Sequence, residues 1–141
     1  MDFEVNIWAV LAATVASFIV GMIWYAPQVF GERWRKLIKM DKKVMDKGPA
    51  PSAWVLTVVG ALLQAYVLAH VTHLTSHFFE DYSWMQAALM SGFWMWAGFQ
   101  LSMILTHDSF EQRPISLTIL TAGNQLVTLM AMALAIGWIG L

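Results

Sequence analysis

Cysteine is missing from the whole chain, which excludes disulfides, thiolate nucleophiles and cysteine-based metal sites, and leaves the redox compartment unread. Charge is scarce as well. Only 12% of the 141 residues are Asp, Glu, Lys or Arg, about half the ~25% of an ordinary soluble domain. Also missing are a Gly-rich phosphate loop, a nucleophile elbow and any pair of carboxylates inside an apolar run, so the usual signatures of nucleotide and hydrolase chemistry are not met. What is abundant is hydrophobic surface, at 59% of the residues. A soluble domain of this size needs more polar residues than that to cover itself, which places the chain in lipid.

Four stretches carry no Asp, Glu, Lys or Arg: 5–26, 53–75, 84–106 and 115–138. Each holds about 22 residues, enough at ~1.5 Å per residue to cross ~30 Å of hydrocarbon. Backbone groups in lipid must be satisfied internally, and runs of this length fit helices rather than barrel strands. The fold expected is an all-α membrane protein, an up-down bundle of four transmembrane helices in one domain, with a cytoplasmic amphipathic segment between the first and second. The first span, preceded by Asp2 and Glu4 rather than bases, is expected to stay in the mature protein.

Seven of the eight Lys and Arg residues lie between Arg33 and Lys47, and the eighth is Arg113. Basic connections stay inside, so both termini are expected outside, in a plasma membrane. Within the first connection Phe30, Trp34, Leu37 and Ile38 interleave with Arg33, Arg35, Lys36 and Lys39. A helix over 32–40 would bury the aromatic face in the headgroup layer and set its bases against anionic lipid. Arg33, Trp34, Arg35, Lys36 and Lys39 are therefore the expected surface anchors, and nucleic acid is not an expected partner. Pro49 and Pro51 give a short stiff lead, 46–52, into the second span.

A weak internal repeat runs through the spans. GMIWYA at 21–26 is matched by GFWMWA at 92–97, and Pro51 precedes Gly60 as Pro114 precedes Gly123. A tandem pair of two-helix units would be related by an axis along the membrane normal. Small residues mark expected helix contacts: Ala9 and Ala13, Ala65 and Ala69, Ala88 and Gly92, Ala122 and Gly123.

Polar side chains inside the spans are few. Gln64, Asn124 and Gln125 fall near the midplane by counting rises, and Gln100 lies toward the cytoplasm. Two readings stand: interhelical glue, at ~0.6 kcal/mol per hydrogen bond, or a polar cavity for a ligand or pore, with Trp24 and Tyr25 at its mouth. On the second span His70, His73 and His77 share one helical face, followed by Glu80 and Asp81. Such a face can hold a transition metal or sit solvated at the interface. The sequence does not identify a cofactor.

The string GMIWYAPQVFGERW at 21–34, with Asn6 before the first span and QRPISLTILTAGNQLVTLMAMALAIGW at 112–138, resembles the small membrane proteins catalogued as domain of unknown function 1761. The matching positions are Trp24, Tyr25, Pro27, Phe30, Gly31 and Trp34. The resemblance implies a four-helix bacterial membrane domain with no assigned activity. The function expected is a non-enzymatic, channel-like or ligand-binding homo-oligomer using the midplane amides. The alternatives are a structural or regulatory subunit of a larger membrane complex, and a membrane enzyme with a histidine metal site on the outer side.

Overall fold

The computed structural model describes residues 5–140. Among these the chain is helical, without a strand. Helix α1 (Ile7–Trp24) starts where the Asn6 carboxamide oxygen accepts from the Trp8 amide (3.0 Å), satisfying one of the donors a helix start leaves open. A single π-helical turn (Pro27–Gly31) and two short helices, α2 (Glu32–Leu37) and α3 (Lys42–Lys47), form the connector. Helix α4 (Pro51–Phe78) begins with Pro51 at its first turn, where a missing amide hydrogen costs nothing. The third span, Trp84–Phe110, is built from α5 (Trp84–Met95), a π-helical segment (Trp96–Leu101) and α6 (Ser102–Phe110). A reciprocal capping box opens α5: the Gln86 amide donates to Ser83 Oγ (3.3 Å), and the Ser83 amide to Gln86 Oε1 (2.8 Å). Helix α7 (Ile115–Ile139) completes the chain.

Four of these units are long and apolar enough to cross a membrane: Ile7–Trp24, Pro51–Phe78, Trp84–Phe110 and Ile115–Ile139, with mean hydropathies of 2.1, 1.8, 1.3 and 1.7. The protein is a multipass membrane protein. Helix α7 is the most buried of the four. It packs most extensively on α1 and α5, while α4 closes the ring by packing on α5 and α1.

Small residues set these contacts. A Cβ added to Gly92 would stand 2.9 Å from Met130 Cε and 3.2 Å from Ala133 Cβ; one on Gly137 would stand 2.6 Å from Met85 Sδ. The α5–α7 seam is therefore as tight as glycine permits, and dispersion contacts replace the absent hydrophobic drive between helices. Two indoles tie the same seam: Trp84 Nε1 donates to the Ile136 carbonyl (2.9 Å) and Trp96 Nε1 to the Ala122 carbonyl (2.9 Å).

The interior is packed unequally along its length. Ala9, Val10, Ala13, Ala65, Leu68, Leu129, Met132, Ala133 and Ile136 form one buried cluster around the start of α1 and the end of α7. The Asn6 carboxamide reaches the Gly140 carbonyl at that end (3.5 Å). Toward the connector the packing opens.

Local structure departs from the sequence reading in three places. The connector helix stops at Leu37 instead of continuing to 40, because Lys39 takes a left-handed φ of 55° and Arg35 turns back onto the Met40 carbonyl (2.8 Å). The expected stiff lead is partly helical, as α3. Both aromatic strings of the internal repeat run into π-helical backbone.

Candidate functional site

The boundary after α1 is built on one steric fact. Gly31 is buried, and a Cβ there would overlap the Tyr25 carbonyl oxygen and stand 2.9 Å from its carbon. Its φ of −59° is ordinary, so glycine is required by space and not by conformation. The Gly31 amide donates to the Ala26 carbonyl (3.0 Å), closing the π turn that Pro27 opens. This folds the connector against the end of α1 and orders the aromatics in pairs: Trp24 with Phe30 (centroids 4.6 Å) and Tyr25 with Trp34 (5.2 Å, edge-on).

Arg35 fastens the next turn. Its guanidinium donates to both Glu32 carboxylate oxygens (2.9 and 2.6 Å) and to the Met40 carbonyl. The fork is bidentate and its side chain only 16% exposed. The Arg35 hydrogen bond, with help from the positive charges of Arg35, Lys36 and Lys42, lowers the Glu32 carboxyl from the usual 4.5 to about 2. Arg35 is thus engaged inside the connector, and Trp34 is half-buried against Tyr25, whereas Arg33, Lys36 and Lys39 are exposed.

Above this boundary lies a cleft of about 520 Å³ between α1 and α4, with α7 as its floor. Helix α4 contributes Thr57, Gly60, Ala61 and Gln64, which fall at i, i+3, i+4 and i+7 on one face. Helix α1 contributes Ser17, Gly21 and Tyr25, a turn apart. The floor is Asn124, Gln125 and Thr128. All three midplane amides thus meet in one cavity, with Tyr25 beside them. The lining holds no Asp, Glu, Lys, Arg or His.

Two buried donors in this region make no hydrogen bond with the protein: Asn124 Nδ2 and Trp24 Nε1. Asn124 is 5% exposed and lines the cleft. The Trp24 ring edge lies 3.4 Å from where a Gly123 Cβ would stand, which puts the indole beside the residue before Asn124. A buried donor without a partner costs ~1–3 kcal/mol, more than a helix seam gains from one polar contact. Trp24 is not part of the cleft lining, so Asn124 supplies the unpartnered donor there, which suits an acceptor oxygen, and the absence of charge in the lining suits an uncharged one.

The other candidates lie elsewhere. Gln100 belongs to the π-helical segment of the third span and does not line the cleft. The histidines remain on α4, whose end at Phe78 includes His77, but they face aromatic neighbours: His70 meets Tyr66 with tilted rings (4.3 Å) and has Nδ1 3.0 Å from its carbonyl, His73 meets Trp84 edge-on (6.4 Å), and His77 meets Phe78 (6.0 Å). Among the described residues no group of three His, Asp or Glu side chains converges as metal ligands would. Thr57, Ser17 and Thr128 belong to the cleft without having been singled out from sequence. The helical spacing of Thr57 from Gln64, and of Thr128 from Asn124, was the available signal.

The family described as "Protein of unknown function (DUF1761)" matches residues 8–137, nearly the full length. No curated protein and no solved structure matches.

Proposed function

Because the chain belongs to the DUF1761 family, whose function is unknown, its activity has to be read from its own geometry, and we propose that it is a membrane-embedded binding protein for an uncharged, acceptor-bearing small molecule. The cleft between α1 and α4 is the site. Asn124 carries the reading: it lines a cavity of ligand size next to two further amides, and its buried Nδ2 has no protein partner. Gln64 and Gln125 would orient the ligand, with the hydroxyl of Tyr25 at the connector end of the cleft. Binding is favoured over conduction through a single chain, because the cluster around Leu68, Leu129 and Ile136 packs solidly at the other end.

In the membrane we place the four spans as an up-down bundle. The basic connector faces anionic lipid in the cytoplasmic leaflet through Arg33, Lys36 and Lys39, and both termini lie outside. The test is native mass spectrometry of protein released from membranes in mild detergent. Wild type should carry a small neutral ligand that Asn124→Leu and Gln64→Leu lose while remaining folded. Equal retention of that ligand by wild type and both variants would refute the assignment.

A further inference from the structure

A second cavity, of about 710 Å³, lies beneath the connector and is almost wholly apolar, with walls that include Trp34, Met40, Val44, Met45 and Ala53. Tyr25, Trp54 and Thr57 line both this cavity and the amide cleft. The two are therefore neighbours through a neck of three side chains, one compartment carrying the three side-chain amides and the other, lined mainly by apolar groups, carrying none of them. Helix α3 forms part of the outer cavity's roof and is two-faced. Met45, half-buried, and Val44, itself exposed, line the cavity, while Lys42, Lys43 and Lys47 take no part in the lining.

On the reading that the amide cleft binds a ligand, we infer that the outer cavity holds the apolar body of the same molecule, so that the ligand is an uncharged amphiphile with an acceptor end and a hydrocarbon end. The acceptor oxygen sits among Asn124, Gln125 and Gln64, and the chain passes the neck and lies under α3. This orientation is opposite to that of a bilayer lipid, whose polar end is at the surface. The inversion follows from where the amides are: deep in the spans, with the mainly apolar compartment near the charged connector. It also assigns Tyr25, Trp54 and Thr57 as the residues that limit the width of what can thread between compartments.

The probes are a short-chain and a long-chain fatty acid methyl ester, each bearing a photoreactive diazirine, applied to the full-length protein in detergent. The free long-chain acid serves as the charged control. Met45→Trp and Ala53→Trp fill the outer cavity; Met45 lies on α3, outside the packing of the spans, so that variant keeps the bundle intact. Both variants should lower labelling by the long ester at least about tenfold, since two excluded methylenes already amount to that, and should leave the short ester unchanged. Asn124→Leu should abolish labelling by both esters, and wild type should label weakly with the free acid. If the filled variants spare the long ester, or lose both esters alike, the shared-ligand inference is wrong while the amide site stands. If Asn124→Leu changes neither ester, or wild type labels with neither, the amide site and the inference fail together. Free acid labelling as strongly as the ester would overturn the uncharged assignment.

Discussion

Replacing Asn124 by Leu should make the unliganded protein more stable. In most proteins the loss of a buried amide destabilises, because its partner is left unpaired. Here the Nδ2 group has no protein partner to abandon, and the side chain is 95% removed from solvent and lipid by its 5% exposure. An unpaired buried donor costs ~1–3 kcal/mol, and Leu keeps the branched outline with apolar atoms, its greater bulk having the adjoining cleft to enter. Polar groups in a membrane protein's unfolded reference state find partners too, and average interhelical bonds there are worth only ~0.6 kcal/mol. The low end of the range is therefore appropriate, a gain of about 1 kcal/mol. Unfolding of delipidated protein in mixed micelles by SDS titration, followed by far-UV circular dichroism, measures it. Gln64→Leu provides the contrast, since Gln64 is only half-buried and should shift stability by less than ~0.5 kcal/mol. A loss of ~1 kcal/mol or more in Asn124→Leu would show that the amide is structural glue, and the binding argument built on it would fall.

Three further outcomes follow from the connector and its neighbours. Gly31→Ala should cost on the order of 1–3 kcal/mol, because the new methyl overlaps the Tyr25 carbonyl; limited proteolysis should then cut within 32–47 faster than in wild type, and unchanged cleavage would contradict the steric reading. Glu32 has its folded pKa lowered from 4.5 to about 2, so its stabilisation is complete above 4.5 and is lost as pH falls through 2. Connector order, followed by Trp34 fluorescence against a Trp34→Phe background, should hold from neutral pH to about 5 and fail on further acidification, whereas Glu32→Gln should lack it throughout. At the junction of the third and fourth spans, Thr118 Oγ1 donates to the Asp108 carboxylate (2.7 Å) in a buried pair. Thr118→Val should lower stability by ~1.5–3 kcal/mol, as expected for a hydrogen bond to a charged group, while an exposed control such as Ser109→Ala should move it little.

The spans were legible because hydropathy integrates over a whole helix, and the absence of charge from four runs leaves no other placement. The meeting of Gln64, Asn124 and Gln125 was legible in depth, since rise per residue fixes height in a straight helix. Azimuth was not: Gln100 has a similar character but sits in a π-helical stretch, where the extra residue per turn rotates everything after it. Hydropathy is blind to that change in hydrogen-bond register, and only Pro27 gave a hint of the first π turn. The histidines show the reverse problem. Their spacing sets them along α4, which extends to Phe78, but what a helix face meets depends on neighbours such as Trp84 that come from distant sequence. Arg35 and Arg33 are indistinguishable by composition, and only the fold shows that Glu32 and the Met40 carbonyl capture one of them. The connector motif was recognisable as a string of aromatic residues around Pro27 and Gly31, while the reason for the glycine emerged only from the closeness of the Tyr25 carbonyl.

The uneven packing along the bundle has a mechanical consequence. Close-packed interiors compress little, whereas voids are eliminated under load. The core around Leu68, Leu129 and Ile136 is stiff, and voids of about 520 and 710 Å³ soften the connector end, against one of about 330 Å³ between the end of α4 and α5. Hydrostatic pressure, or a thickening bilayer pulling on the spans, will therefore deform it at the connector end first. The soft end is also where the ligand sits, so an occupant would act as an internal strut, and the volume change on unfolding should shrink when the cavities are filled.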